Sequence, residues 1–179
     1  LAAAFDVGAA RRRGLRVALF EQDDFGSGTS SGSTRLIHGG LRYLEMLDFA
    51  LVRLDLRERE ILLRIAPHLV TPLRFLLPFY GASAFNRLRM RVGMWLYDGL
   101  SYDRSLEGHR MLSADDAHAA EPRLVRTGLQ GAAAYSDAQA SLPERLCIEN
   151  IVDAVEAGAA VCNHSRVVGA VVEHGRIRG

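Results

Sequence analysis

The chain has few cysteines and no long apolar run. Among its 179 residues only Cys147 and Cys162 are cysteines, too few for a disulfide framework and without the spacing of a metal-binding motif. A reducing compartment fits this cysteine content best, with both thiols as core residues. No stretch approaches the roughly eighteen apolar residues that a transmembrane helix needs. We therefore predict no metal site and no membrane span.

The chain also lacks an excess of charge of either sign, because 22 Lys and Arg residues stand against 21 Asp and Glu. Nucleic-acid-binding proteins usually carry a basic patch or stripe, so we expect no nucleic-acid partner. The opening residues LAAAFDVGAARRRG place their arginines after the apolar residues, which is the reverse of a secretory signal. With 49% hydrophobic and 24% charged residues, the composition is that of a globular protein with a buried core.

A glycine-rich phosphate loop is also missing. In a dinucleotide-binding βαβ unit, such a loop precedes the first helix, and an acidic residue after the second strand binds the adenosine ribose. Residues 2–13 are predicted to form that helix and residues 15–20 a buried strand, which puts Glu21 at the acidic position. Because the chain opens with Leu-Ala-Ala-Ala, we expect the loop either upstream of the first residue or altered. A lone Glu after a strand is usually a solvated loop residue, so this position alone does not decide the function.

The clearest helix is predicted over residues 49–65. Asp48 is a suitable N-cap, and Pro67 explains why the helix ends. The i,i+4 spacing also predicts two ion pairs along the helix: Asp55 with Arg59, and Glu60 with Arg64.

Prolines mark the segment that follows this helix. Residues 69–80 are apolar and aromatic but contain Pro72 and Pro78, which favours an edge or irregular strand. The change of pattern there suggests a boundary, with residues 1–68 as one partial domain and residues 69–179 as the start of another. Further elements are predicted as a helix over 85–96, a short helix between Ser113 and Pro122, a strand over 129–135, a helix from Pro143 to about Glu156, and a hairpin turning at His174 and Gly175.

The helix over residues 85–96 combines basic and apolar side chains. A basic amphipathic helix can contact an anionic membrane. The same spacing is more typical of a half-buried helix with a solvated face, which is the interpretation we favour. The residues concerned are Arg87, Arg89 and Arg91 around Met90, Met94 and Trp95.

Between Gly26 and Gly40, closely spaced glycines alternate with serine and threonine hydroxyls. Glycines let backbone amides approach a ligand, and hydroxyls suit a phosphate or the edge of a flavin. A flexible surface loop is the alternative that composition alone favours. The end of this segment favours a binding site, because cationic, imidazole and double-glycine groups lie close together there. Its sequence is Arg35-Leu36-Ile37-His38-Gly39-Gly40-Leu41-Arg42-Tyr43.

Four features of the chain carry a family resemblance. They are Glu21, the run SSGSTRLIHGGLRYLE, the helix DFALVRLDLREREILLRIAPHL and the strand LRFLLPFY. Together they resemble FAD-dependent glycerol-3-phosphate dehydrogenases. The resemblance covers residues 14–103 and continues more loosely through residues 128–139, so the chain is similar to an N-terminal fragment of such an enzyme. An amino-acid or amine oxidase of similar fold would share Glu21 but lack the SxSTRLIHGGLRYLE run.

The resemblance implies an α/β fold. Residues 1–68 would form part of an FAD-binding Rossmann-like domain of the glutathione-reductase or D-amino-acid-oxidase type, without its first strand and glycine loop. Residues 69–179 would begin a mixed or antiparallel substrate domain, together with further segments of the FAD domain.

The resemblance also implies roles for individual residues. Glu21 would bind the adenosine ribose, and Arg42 would face the substrate side of the flavin as a catalytic residue. His38 would contact the flavin, with a catalytic base as the alternative role. The remaining FAD contacts would be Ser31, Ser33, Arg35, Leu36 and Gly39, where the family usually has Lys in place of Arg35.

The activity implied is oxidation of sn-glycerol 3-phosphate to dihydroxyacetone phosphate, with FAD as cofactor and a quinone as electron acceptor. The protein would be cytoplasmic and peripheral on the inner face of the cell membrane, and a homodimer is one expected assembly. Two alternatives stay open: another FAD-dependent oxidoreductase of the amino-acid-oxidase type, or a catalytically inert fragment that does not bind FAD.

Overall fold

The structure, a computed structural model, describes residues 2–81 and 84–178. Helices and strands are mixed along the chain, which confirms the predicted α/β class. In chain order the elements are α1 (Ala2–Arg12), β1 (Ala18–Phe20), β2 (Leu36–Ile37), α2 (Leu41–Glu45), α3 (Phe49–Ile65), β3 (Val70–Tyr80), α4 (Ala84–Leu100), β4 (Arg110–Leu112), α5 (Ala114–Ala120), β5 (Leu129–Ala140), α6 (Pro143–Glu156), β6 (Ala160–Cys162), β7 (Val172–Glu173) and β8 (Arg176–Ile177).

The chain packs into two compact units. The first unit contains Leu1–Arg35 and Leu142–Gly179, and the second contains Leu36–Ser141. The predicted boundary near Leu69 falls inside the second unit. That boundary concerned which segments bind cofactor and which bind substrate, and it stays a prediction.

The first unit is built around a short parallel strand pair. β1 pairs with β6, with Leu19 opposite Val161, and the two strands pack their apolar side chains on α1 and α6. Val7 of α1 and Ala154 of α6 lie in the same buried cluster. The strand begins three residues later than predicted, since it starts at Ala18 and Leu15 is 59% exposed.

The second unit is built around β5. This strand pairs antiparallel with β3 along one edge and with β2 and β4 along the other. β3 contains Pro72 and Pro78, and in the described part of the chain it pairs only with β5, so the predicted edge strand is confirmed. β5 is longer than the predicted strand because it continues to Ala140, which places Asp137 inside the sheet.

α3 has the bounds and the N-cap that the sequence predicts. It covers Phe49–Ile65, and the Asp48 carboxylate accepts a hydrogen bond from the Leu51 amide at 3.1 Å. The predicted ion pair between Asp55 and Arg59 is wrong. Arg59 lies on the buried face of α3 and bonds to Asp137 of β5 instead.

The predicted pair between Glu60 and Arg64 is also wrong. Glu60 accepts a hydrogen bond from its neighbour Arg59 at 2.8 Å and two more from Ser105, also at 2.8 Å. Partners from elsewhere in the unit therefore replace the helical neighbours in both predicted pairs.

The C-terminal hairpin is present as predicted. β7 and β8 pair antiparallel, and the turn between them is His174-Gly175. Both residues have positive φ, 52° at His174 and 73° at Gly175, as a tight turn with the twist of a β-hairpin requires.

Two kinds of site were predicted to be absent. Across residues 2–81 and 84–178, no helix has both the length and the apolarity needed to cross a bilayer. In the same residues, no group of three or more His, Cys, Asp or Glu side chains is arranged to hold a metal ion. The prediction that the protein binds no metal stays a prediction.

Candidate functional site

Glu21 lies directly after β1, at the carboxyl end of the parallel pair β1 and β6. Its amide donates to the Cys162 carbonyl at 2.9 Å, and its carbonyl accepts from the Ser165 amide at 2.8 Å. Oε1 accepts from the Asp23 amide at 3.0 Å, while Oε2 accepts no hydrogen bond from any described residue. A held carboxylate with one open oxygen at this edge of a sheet suits a ribose hydroxyl pair.

The serine hydroxyls of the next loop are bonded within the loop. Ser31 Oγ donates to the Ser27 carbonyl at 2.7 Å. Ser33 Oγ donates to the Ser30 carbonyl at 3.0 Å and accepts from the Arg35 amide at 3.2 Å. Each hydroxyl proton is therefore already used, and it must rotate away before it can donate to a phosphate oxygen. Both side chains are exposed, so water replaces the lost bond at little cost.

Arg35 has an unusual backbone for its residue type. Its φ of 62° lies in the left-handed region, which non-glycine residues seldom adopt. Such backbone strain costs on the order of 1–3 kcal/mol and is concentrated at functional sites. The conformation fixes the direction in which the chain leaves the serine loop, at the last residue of the first unit.

In the second unit, a turn of His38, Gly39 and Gly40 connects β2 to α2. Gly39 is buried, and a Cβ built there would overlap Leu56 of α3 and lie 2.7 Å from Tyr97 Oη of α4. Gly40 has a φ of 62°, which favours glycine for a different reason. The double glycine is therefore required by the local structure.

The ring of His38 is oriented by its own turn. Nδ1 is 2.9 Å from the Gly40 amide nitrogen. Because a backbone amide can only donate, Nδ1 must carry a lone pair, and the proton of a neutral ring must be on Nε2. In this arrangement His38 presents a hydrogen-bond donor to its surroundings. Such a donor is compatible with the predicted flavin contact, and both roles predicted for His38 stay predictions.

A cleft of about 300 Å³ opens beside this turn. Phe75 and Tyr135 stack in one wall, with ring centroids 5.2 Å apart and planes at 17°. Burial, reinforced by the charge of Asp137, raises the pKa of Tyr135 to about 12, so its hydroxyl stays neutral. The full lining is Leu36, His38, Gly40, Leu41, Arg42, Tyr43, Phe75 and Tyr135. Three predicted site residues thus share one cleft that has aromatic walls and a cation.

A larger groove of about 600 Å³ lies in the same unit. Apolar side chains of α2, β3 and α4 line most of it, among them Leu44, Phe79 and Met94. Arg42 lines both this groove and the smaller cleft. One exposed arginine thus stands next to both an aromatic cleft and an apolar groove.

Sequence reasoning missed a buried polar network behind the turn. Tyr97 Oη donates to both oxygens of Asp137, at 2.9 and 2.8 Å, and accepts from the Gly39 amide at 3.0 Å. Arg59 donates to Asp137 at 2.5 Å and to Ser101 Oγ at 2.9 Å. These four side chains are each 1–2% exposed. Asp137 stands in a segment that carries the family resemblance, but nothing in its sequence neighbourhood indicates these partners.

Burial and charge act in opposite directions in this network. Burial raises the pKa of Asp137, and hydrogen bonds from Arg59 and Tyr97 offset part of that rise. Burial alone would lower the pKa of Arg59, but its bonds to Asp137 and Glu60 raise it. Burial and then the nearby charge of Asp137 raise the pKa of Tyr97 far above its usual range. We conclude that Tyr97 stays protonated, while the 2.5 Å contact between Arg59 and Asp137 is that of an ion pair.

Comparison with known proteins gives the class. The family described as FAD dependent oxidoreductase matches residues 1–179, and the chain belongs to that family. A glycerol-3-phosphate dehydrogenase from Synechocystis sp. is 51% identical to the chain over 157 residues, which are 88% of this chain and 28% of that protein.

Solved structures agree with this class. The X-ray structure of the glycerol-3-phosphate dehydrogenase from Bacillus halodurans, complexed with FAD, has a TM-score of 0.69 at 28% identity and covers 97% of this chain and 26% of that chain. The L-proline dehydrogenase from P. horikoshii shares the fold, with a TM-score of 0.74 at 16% identity, covering 97% of this chain and 44% of that one.

These likenesses confirm the predicted family and fold. The chain spans 28% of the Synechocystis relative and 26% of the B. halodurans enzyme, so the activity and substrate of the whole protein are matters of proposal. The roles predicted for individual residues also stay predictions.

Proposed function

We propose that the protein oxidises sn-glycerol 3-phosphate to dihydroxyacetone phosphate, with FAD as cofactor and a quinone as electron acceptor. The observation that carries this proposal is the cleft in the second unit, where the glycine turn, stacked aromatic rings and Arg42 lie together. A planar ring system with an anionic substrate beside it fits those walls. The 51% identity to a protein named glycerol-3-phosphate dehydrogenase supports the choice of substrate.

The residues of the first unit suit the nucleotide half of the cofactor. Glu21 would accept hydrogen bonds from the ribose hydroxyls through the carboxylate oxygen that has no other partner in the described residues. Ser31, Ser33 and Arg35 would bind the pyrophosphate, the serines after rotating their hydroxyls outward. A loop whose polar side chains are exposed fits such a charged group.

The residues of the second unit suit the flavin ring of FAD and the substrate that would react with it. Leu36 would contact the flavin ring, and His38 would donate from Nε2. Gly39 is also predicted to contact the flavin, but it does not line the cleft, and its amide bonds to Tyr97. FAD, when bound, supplies the two-electron acceptor for the C2 hydroxyl. Arg42 would hold the substrate phosphate or stabilise the alkoxide that forms as the hydroxyl loses its proton.

The proposal predicts a flavoprotein whose flavin is bleached by its substrate. The protein expressed from its complete reading frame should show a flavin absorption spectrum that sn-glycerol 3-phosphate bleaches in the absence of oxygen. Arg42→Ala should lower kcat/KM by about 10- to 100-fold, the loss expected for one charge-assisted hydrogen bond. A rise in KM alone would assign Arg42 to the phosphate, whereas an equal fall in kcat would assign it to the alkoxide.

Arg126→Ala is the control, because Arg126 is an exposed arginine of the same unit whose side chain forms no hydrogen bond or ion pair within the described residues. Bleaching by an amino acid instead of glycerol 3-phosphate would favour the amino-acid-oxidase alternative. Absence of bound FAD would favour the inert alternative and end the enzyme proposal.

We further propose that the protein is cytoplasmic and contacts the inner face of the membrane through α4. The sequence alone favours a solvated face for this helix, but three apolar side chains of that face are exposed. Leu88, Val92 and Trp95 follow helical spacing and are 59, 51 and 70% exposed, whereas Met94 and Tyr97 on the other face are buried. Arginines flank the exposed apolar face, as in helices that lie on anionic lipid. The apolar groove beside this helix is large enough for a quinone ring.

Trp95→Glu should weaken binding of the complete protein to vesicles of anionic phospholipid by about tenfold, because it removes one large apolar contact. Cosedimentation with the vesicles measures this directly. Val125→Glu is the matched control, since Val125 is 66% exposed in the same unit and lies outside α4. Equal binding of both variants would contradict contact through α4.

A further inference from the structure

The buried network of the second unit ends on the backbone of the turn proposed to contact the flavin. Its last member, Tyr97 Oη, accepts a hydrogen bond from the Gly39 amide at 3.0 Å. We infer that Tyr97, held by Asp137 and Arg59, is a positioning residue that fixes the His38-Gly39-Gly40 turn against the flavin ring. This inference rests on the proposed function, because it assigns the turn a cofactor to face.

The direction of each hydrogen bond follows from the charges. Arg59 donates to Asp137, so the carboxylate is the acceptor of the pair. Tyr97 Oη has one proton, which it donates in a hydrogen bond to the two carboxylate oxygens of Asp137, 2.8 and 2.9 Å away. The lone pairs of Oη are then left to accept from Gly39. A tyrosine whose proton is fixed in this way cannot turn to donate elsewhere.

The Gly39 amide depends on this single partner. The residue is buried, and no other acceptor among the described residues bonds to its N–H. Burying an amide without a partner destabilises the folded protein, so the turn is most stable in the one position where the Gly39 amide reaches Tyr97 Oη. The next amide of the turn, that of Gly40, orients His38 through Nδ1. The network thus determines the position of His38 Nε2 as well as that of Gly39.

The network is anchored in three separate elements. Arg59 belongs to α3, Tyr97 to α4 and Asp137 to β5. Arg59 is further bonded to Ser101, and it shares Glu60 with Ser105. A movement of the turn would therefore have to break bonds to a rigid, fully buried support.

The test removes one oxygen atom. Tyr97→Phe in the protein from the complete reading frame keeps the ring and its packing against Tyr135 but leaves the Gly39 amide unpaired. We expect the dissociation constant for FAD to rise about tenfold and the visible absorption bands of the bound flavin to shift, because the turn no longer has one position. Tyr102→Phe is the matched control, since Tyr102 is 77% exposed and stands just after α4.

A second variant separates positioning from stability. Leu129→Ala removes apolar packing in a separate buried cluster of the same unit, which contains no member of the network. Its stability should fall while its flavin spectrum and FAD affinity stay as in the parent protein. If Leu129→Ala changes the flavin as much as Tyr97→Phe does, or if Tyr97→Phe leaves the flavin unchanged, the inference is overturned.

Hydrogen exchange of the parent protein tests the hydrogen bond from the Gly39 amide to Tyr97, here called the tether, even if Tyr97→Phe does not fold. The Gly39 amide should exchange as slowly as the amides of β5, because both are buried and bonded. Exchange at the rate of an open loop would overturn the inference. If the parent protein binds no FAD but the amide is protected, the tether exists and the proposed function fails instead.

Discussion

Replacing Arg59 with methionine is expected to lower the free energy of unfolding by about 3–5 kcal/mol. The change leaves Asp137 in the core without its ion-pair partner, where both side chains are only 1% exposed. A buried carboxylate that loses its counter-ion keeps the whole cost of desolvation. Urea unfolding of parent and variant measures the difference, with methionine chosen because it preserves the length and packing of the arginine stem.

The loss of stability in Arg59→Met should depend on pH in a defined direction. Burial raises the pKa of Asp137 in the folded protein, and removal of Arg59 takes away a bond that opposes this rise. The folded variant therefore binds a proton more readily than the unfolded chain, and its stability rises as pH falls from 7 through the raised pKa of Asp137 towards the unfolded value of about 3.9. The deficit relative to the parent should shrink over the same range.

Arg57→Met is the matched control, because Arg57 is an exposed arginine on the same helix. Exposed substitutions of this kind usually change stability by less than about 0.5 kcal/mol. A similar small effect at Arg59 would mean that Asp137 is neutral in the folded protein, and the network would have to be reassigned as hydrogen bonds between uncharged groups.

Local features of the sequence were sufficient to predict most elements. Asp48 at the start of α3 and Pro67 after its end act through their own backbone neighbours. The prolines of β3 remove amide donors, which is possible only at a sheet edge. His174 and Gly175 adopt the positive φ angles of a tight turn. In each case the physical cause lies within a few residues of its effect, and a sequence pattern is enough to find it.

Long-range partners were not predictable in the same way. Arg59 has an acidic residue four positions earlier, so the helical spacing favours a surface pair with Asp55. Its actual partner, Asp137, is 78 residues away, and the choice depends on which face of α3 the sheet covers. β5 was predicted too short because its buried alanines and Asp137 carry little strand preference. Burial in the folded unit decides both outcomes.

The candidate site shows the same difference between local features, which the sequence predicts, and long-range partners, which it does not. The resemblance identified three of the eight residues that line the cleft, namely Leu36, His38 and Arg42. The resemblance gave no indication of Tyr97, which is separated from Gly39 by 58 positions. The sequence analysis of its helix considered only the arginines and the apolar residues. The three predicted residues of the cleft lie in one short run of sequence, whereas the groups that support this run come from three distant elements.

Gly39→Ala is expected to have the largest effect on the proposed activity. The added methyl group would overlap Leu56 and stand 2.7 Å from Tyr97 Oη, and both residues belong to helices that are fixed by the buried core. The turn must therefore shift, which should cost about 1–3 kcal/mol of stability. A displacement of about 1 Å at a reacting site can lower the rate by about 100-fold, so we expect a loss of that size in kcat/KM with glycerol 3-phosphate.

Gly99→Ala is the control for the same chemical change. Gly99 is exposed in α4, and among the described residues no atom beyond its chain neighbours and the local helix backbone lies within 4 Å of a Cβ built there. Alanine in an open helical position should stabilise the protein by about 0.5–1 kcal/mol and leave kcat/KM unchanged. If Gly39→Ala kept the activity of the parent, then Leu56 and Tyr97 would have moved away from the turn without consequence. The turn would then need no fixed position, and the support that Tyr97 provides would serve stability alone.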